Sequence, residues 1–230
     1  MAQNVSTAVM QRRVEAHDSL DDFPTPPWAS RALIEHVIAP GLNSRLDEQT
    51  VWEPACNRGF MARPLTEYFG RVHASDIHDY GWAGQEAVED FLWPGTGPVA
   101  AADWVITNPP FRLAEQFIQK SFLQARVGAA MFARTSFVEG EGRYRRLFNL
   151  TPPTMVAHFV ERVVVVKGRI LDPDVKIPVL NGATGKTVLK KPSSATSYSW
   201  LVWISGEAPK PTVWIPPCRQ QLTRPGDYDG

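Results

Sequence analysis

The chain has 230 residues and is 43% apolar, which suits one or at most two domains with a substantial core. Its 24 Lys and Arg balance 24 Asp and Glu, so uniform supercharging toward nucleic acid or a membrane surface is excluded as a whole-chain property. The sequence holds no apolar run of the roughly 18 to 20 residues that span a bilayer, and its first residues lack the pattern of a signal peptide, so the expectation is a cytoplasmic protein without membrane partners. Cys56 and Cys218 stand far apart without metal-ligand spacing, which predicts reduced thiols and no metal.

The zero net charge hides a split. From Asp47 to Glu115 there are eleven acidic and four basic residues, a net −7, whereas Gln116 to Arg224 holds sixteen basic and six acidic, a net +10. The second half is therefore the candidate polyanion face, with Arg134, Arg143, Arg145, Arg146, Lys167 and Arg169 as candidate nucleic-acid contacts. A merely solubilising basic face is the competing reading.

In chain order, residues 1 to 22 are polar, show no period, and read as a flexible arm before one domain over 23 to 230. PTPPWASRALIEHVIAP predicts a helix from about Pro27 to Ala39, opened by proline and stopped at Pro40-Gly41. TVWEP predicts a strand, Gly59 to Phe69 a helix, VHASD a second strand, and DWVITNPP a third that Pro-Pro halts. LAEQFIQKSFLQA reads as a helix, GAAMFA as a strand, Arg143 to Phe148 as a helix, and Met155 to Val166 as strands. Residues 167 to 194 form a basic insertion or loop. SYSWLVWI and TVWIP together predict an antiparallel hairpin at the sheet edge. Strands alternating with helices predict an α/β, doubly wound, Rossmann-like fold with a mostly parallel sheet.

In such folds ligands bind beyond the carboxyl ends of the strands. Four predicted strand ends carry Glu53, Asp76, the pair Asp90-Phe91, and Asn108-Pro109-Pro110-Phe111. Small residues Ala55, Cys56 and Gly59 would let backbone approach a ligand, and Asp76 lies 23 residues beyond Glu53, near the spacing at which a carboxylate meets ribose hydroxyls. Three converging carboxylates disfavour phosphate and suit a cofactor with a positive centre, such as S-adenosylmethionine. Two prolines stiffen the fourth loop and leave it with acceptors, suited to an NH₂ group. Phe111 would stack on the ring bearing that amine.

PTPPW, EPACNRGFMA, SDI, EDFL and DWVITNPPF, in this order, resemble the blocks of S-adenosylmethionine-dependent, adenine-specific DNA methyltransferases of the NPPF type, over roughly residues 22 to 165. The resemblance implies methyl transfer to the exocyclic amine of a flipped adenine, with Asn108, Pro109, Pro110 and Phe111 catalytic. It implies that Thr25, Pro26, Glu53, Ala55, Cys56, Gly59, Asp76, Ile77, Asp90, Phe91 and Asn108 hold the cofactor. Asn57 replaces a usual glycine of that pattern; asparagine is the residue after glycine most able to take a left-handed conformation. No large DNA-reading domain accompanies the blocks, leaving target selection to residues 167 to 194, to Arg143 to Arg146, or to a partner subunit. The alternatives are the same chemistry on an RNA guanine or a protein glutamine, and a non-catalytic methyltransferase-like subunit.

Overall fold

The computed structural model describes residues 21–41, 45–95, 102–180 and 185–229. Of the predicted arm over 1 to 22, residues 1 to 20 lie outside the described residues, as do positions 181 to 184 of the insertion; Asp21 and Asp22 do not belong to a free arm, being bonded to Phe111 and to Asn57 and Arg58. Helix α1 (Pro27–Leu33) starts with proline at its first position, where no N–H is needed, and runs on through a π-turn at Ile34–Ile38. Then follow β1 (Thr50–Glu53), α2 (Ala62–Leu65), β2 (Arg71–Asp76), β3 (Ala87–Val88), β4 (Ala102–Thr107), α3 (Ala114–Gln124) and β5 (Ala125–Arg134). The remainder is α4 (Glu141–Arg143) with a π-turn at Tyr144–Phe148, β6 (Met155–Phe159), β7 (Ile177–Leu180), β8 (Thr187–Lys190), β9 (Tyr198–Ile204), β10 (Val213–Ile215) and α5 (Arg219–Leu222).

Among the described residues, eight strands form one sheet in the order β10-β6-β9-β5-β4-β1-β2-β3. The pairs β1–β2, β1–β4, β2–β3, β4–β5 and β6–β10 are parallel, as the doubly wound reading expects; β9 is antiparallel to both β5 and β6. The period-2 alternation of strand side chains sorts the core onto two faces. Val51, Trp104, Ile106, Phe132, Trp200 and Val202 pack toward α1 and α5, whereas Trp52, Val105, Met131, Leu201 and Trp203 pack toward α3. Buried indoles need a partner for their N–H. Trp52 donates to Ser75 Oγ at 2.8 Å, Trp104 to Gln49 Oε1 at 2.8 Å, and Trp200 to the Ala29 carbonyl at 3.0 Å.

Four expectations change. SYSWLVWI and TVWIP do not pair with one another: β9 enters the slot between β5 and β6, while β10 runs parallel to β6 on the outer edge. Seven consecutive buried residues in β9 explain why, because such a strand requires cover on both faces and neighbours on both sides. The separate antiparallel hairpin is β7–β8, inside the basic insertion. The helix expected over Gly59 to Phe69 is regular only over Ala62–Leu65, since Pro64 cannot donate within it and turns follow. Strand structure expected to Val166 ends at Phe159, Val166 itself making only an isolated bridge with Arg169.

Candidate active site

A cavity of about 420 Å³ opens at the carboxyl ends of β1, β2 and β4. Its floor is the loop after β1. Glu53 is 2% exposed, and its Oε2 is buried with no partner. Burial, and then the charge of Asp76, push the Glu53 carboxyl well above the ordinary range. Asp76, ending β2, accepts the backbone N–H groups of Asn57 and His78, each at 3.0 Å, which partly offset the upward shift from its own burial. Asn57 has φ of 50°, so asparagine takes the left-handed conformation that the sequence required of it. Its side chain reinforces the turn, accepting the Arg58 N–H at 2.7 Å and donating to Asp22 at 2.8 Å.

The far wall is aromatic. Phe91 is buried, edge-on to Trp52 at 5.0 Å and tilted against Phe117 at 4.9 Å between centroids. Exposed Asp90 beside it caps the local turn by accepting the Leu92 N–H at 2.9 Å. Ile77, 65% exposed, stands at the rim.

Asn108 sits where β4 gives way to the two prolines. Its amide nitrogen donates to the Phe23 carbonyl at 2.8 Å and to Thr25 Oγ at 3.0 Å, while its Oδ1 is buried and unpartnered. Both N–H bonds are thus committed to the chain, and the side chain has only an acceptor left to offer. Burying such an oxygen without a partner costs about 1–3 kcal/mol, a cost that a ligand N–H would relieve.

The Asn-Pro-Pro-Phe bend divides two cavities. Asn108 and Pro110 line the large one; Pro109 and Phe111 line a second of about 180 Å³ with Phe132, Arg134, Phe137 and Arg143. The Phe111 ring lies 4.9 Å from that of Phe23, and the Arg134 guanidinium stands 4.1 Å over it. The Phe111 N–H donates to Asp21 at 2.6 Å.

Of the expected cofactor residues, the structure brings Thr25, Glu53, Ala55, Cys56, Asp76, Ile77, Asp90, Phe91 and Asn108 to the large cavity. Pro26 instead caps α1, and Gly59 faces away: with φ of 77°, it makes room for the Trp82 ring, which fills the place a Cβ would take. Cys56 is buried and its thiol is pushed up by burial, consistent with packing. Sequence reasoning missed Asp21 and Phe23, which cross the mouth, and Arg112 and Tyr80, which line it. The Asp-Asp-Phe run before PTPPW was the available signal.

The basic residues have varied surroundings. Arg143 turns onto the Phe137 and Glu139 carbonyls at 2.6 and 2.7 Å. Arg145 pairs with Glu141, and Arg146 with Glu115 at 2.8 Å, all at the surface except the largely covered Glu115. Lys167 is half-buried and Arg169 exposed, on either side of Gly168, whose N–H donates to the Asp22 carbonyl at 2.8 Å.

Strand order and the position of the cavity define a Rossmann-like methyltransferase fold. The chain superposes with a TM-score of 0.54 and 15% identity on a chain named as a modification subunit of a type I restriction enzyme from Vibrio vulnificus YJ016, over 87% of this chain and 48% of that one. With the type I restriction-modification system methyltransferase subunit from Streptococcus thermophilus the TM-score is 0.52 at 11% identity, over 85% and 47%. The chain thus spans about half the length of both. No family model and no curated protein matches it. Among the described residues, no helix is long and apolar enough to cross a membrane, and no group of three or more His, Cys, Asp or Glu could hold a metal.

Proposed function

We infer that the protein transfers a methyl group from S-adenosylmethionine to the exocyclic amino group of adenine in DNA. The observation that carries this reading is the Asn108 amide, whose two N–H bonds are tied to Phe23 and Thr25 and whose buried oxygen lacks a partner beside the cavity. An acceptor fixed in this way suits an N–H donor, and it repels a carbonyl.

The large cavity fits the cofactor in chemistry as well as in place. The orphaned Glu53 oxygen and the Asp76 carboxylate favour a cationic ligand, and the Phe91 wall favours a flat apolar one. When bound there, S-adenosylmethionine supplies an electrophilic methyl group. Asp76 and Asp90 offer acceptors to ribose hydroxyls and to an adenine amine, and the bend at Asn108 faces the same space. The likeness to two methyltransferase subunits supports the class of reaction.

Adenine's amine is a weak nucleophile because its lone pair is delocalised into the ring. Asn108 Oδ1 and the Pro109 carbonyl, accepting its hydrogens, favour a pyramidal nitrogen with a localised lone pair. Catalysis then rests on orientation and on fixed dipoles, with no covalent link to the protein. A base must leave the duplex to reach this bend, and Phe111 supplies a ring on which it can stack once Arg134 moves aside.

The test is methyl transfer from labelled cofactor to DNA, followed by hydrolysis and mass spectrometry of the nucleosides. The wild type is expected to yield N6-methyladenine, and Asn108→Ala to lose about 100-fold or more in kcat while still binding cofactor. Label appearing only in RNA or protein, or undiminished transfer by the variant, would refute the assignment.

A further inference from the structure

The second cavity, of about 180 Å³, shares the Asn-Pro-Pro-Phe bend with the large one. It falls below the roughly 300–1,000 Å³ of sites that enclose a whole cofactor, and is on the scale of one ring system. Two arginines line it, each over a phenylalanine ring, and they are held very differently.

Arg143 stands 4.0 Å from the centroid of Phe137, and its Nη1 is tied to the Phe137 and Glu139 carbonyls, so it braces the turn after β5. Arg134 stands 4.1 Å from the centroid of Phe111 and pairs with no carboxylate among the described residues. Its charge acts instead on Tyr198, whose hydroxyl burial raises and Arg134 pulls back. Arg134 is exposed, but its backbone is fixed: it faces Tyr198 across β5 and β9, and the next N–H, of Thr135, donates to the Ser197 carbonyl at 2.8 Å. The guanidinium can therefore leave the ring by side-chain rotation alone.

We propose that Arg134 holds the target base's place on Phe111 at rest and, when a nucleotide enters, yields the ring to the base and grips that nucleotide's phosphate. This rests on the proposed DNA substrate and names the residue that tells a polynucleotide from a free base. A guanidinium is flat and cationic, so it stacks on an aromatic face as a base does and keeps water from it. Its contact with a ring is weaker than a bidentate pair of charge-assisted hydrogen bonds to phosphate. The exchange is thus favourable for a base that brings phosphate with it. A free nucleoside must push Arg134 into water and offers the displaced cation no partner. Arg143, bonded to two carbonyls, stays behind as the far wall.

The experiment compares the full chain as wild type, Arg134→Ala and Arg134→Lys, with saturating S-adenosylhomocysteine to keep adenosine out of the large cavity. One probe is a fluorescent single strand of about 12 nucleotides with a central adenine. The other is adenosine, which has the same base but no phosphate. Arg134→Ala is expected to bind the strand about tenfold more weakly, with the slope of log K against log salt shallower by about 0.7, the share of one phosphate. The same variant is expected to bind adenosine about threefold more tightly, because the ring is vacant. Arg134→Lys keeps the charge without the flat group, and is expected to hold the strand within about threefold of wild type, at the wild-type slope, while gaining affinity for adenosine. Equal melting temperatures separate these effects from misfolding. Equal weakening of both probes would mean that Arg134 only shapes the pocket, and would overturn the inference. So would an unchanged slope for the strand, or adenosine binding that neither variant improves. Failure of the enzymatic reading shows separately: the two probes then shift in opposite directions in a protein that leaves no N6-methyladenine in DNA.

Discussion

The Asn108 side chain has two N–H donors and one acceptor oxygen, and the chain occupies both donors. Thr25 is therefore a positioning residue: its hydroxyl keeps the amide from flipping and presenting N–H to the bend. Thr25→Val is expected to lower kcat for methyl transfer about tenfold with little change in cofactor KM, whereas Thr25→Ser, which retains the hydroxyl, restores the rate. Steady-state kinetics of the two variants would check this, and equal kcat values would exclude the role. Glu53 carries the opposite lesson. A carboxyl whose folded pKa is raised stabilises the fold below its unfolded pKa, near 4.3, and that contribution is lost as pH rises through the folded value. Glu53→Gln, which cannot ionise, is accordingly expected to melt higher than the wild type at pH 8, by about 2 to 4 °C per kcal/mol recovered, with the difference shrinking toward pH 5. The same variant is expected to bind S-adenosylmethionine more weakly by titration calorimetry. What the sequence offered for these residues was their order: four successive predicted strand ends carry them, and the structure brings Glu53, Asp76, Asp90 and Asn108 to one cavity. Gly59 was not legible: a small residue in a turn admits either a ligand or a neighbouring side chain, and which of them arrives depends on Trp82, 23 positions away.

Helix α1 follows directly on Thr25, and its other end is secured to the body of the protein. Arg31, 3% exposed, donates to Glu67, to Asp227 and to the Leu222 carbonyl, joining α1 to the segment after α2 and to the turn beyond α5. Removing one partner from a buried ion pair leaves an uncompensated charge and costs about 3–5 kcal/mol. Asp227→Ala is expected to lower stability by roughly that amount in urea denaturation, and Glu67→Ala by less, since the Glu67 side chain is 39% exposed and water replaces part of its contribution. Equal losses would mean that burial does not govern the network. Periodicity and proline punctuation located α1, α3 and most strands, because these signals are local. The strand β3 has two residues, too few for any pattern, and the hairpin β7–β8 lay within a stretch whose turn formers masked its alternation.

At the scale of the molecule, alternation of strands and helices was enough for the doubly wound class, since each strand's two buried faces demand cover on both sides. The seat of β9 was not readable, because strand order is a competition among all strands for neighbours. That seat governs how the protein is made. A ribosome delivers β5 and β6 long before residues 198 to 204, yet those two strands meet only through β9. Until then β6 has neither of its two neighbours, since β10 is made later still, and the outer edge of β5 is bare, open to chaperones and to neighbouring copies. Nascent chains stalled before residue 198 are expected to be cut by protease between β5 and β6, and those stalled after residue 204 has cleared the exit tunnel to resist. Synthesis is then a stage at which this protein is exposed to aggregation.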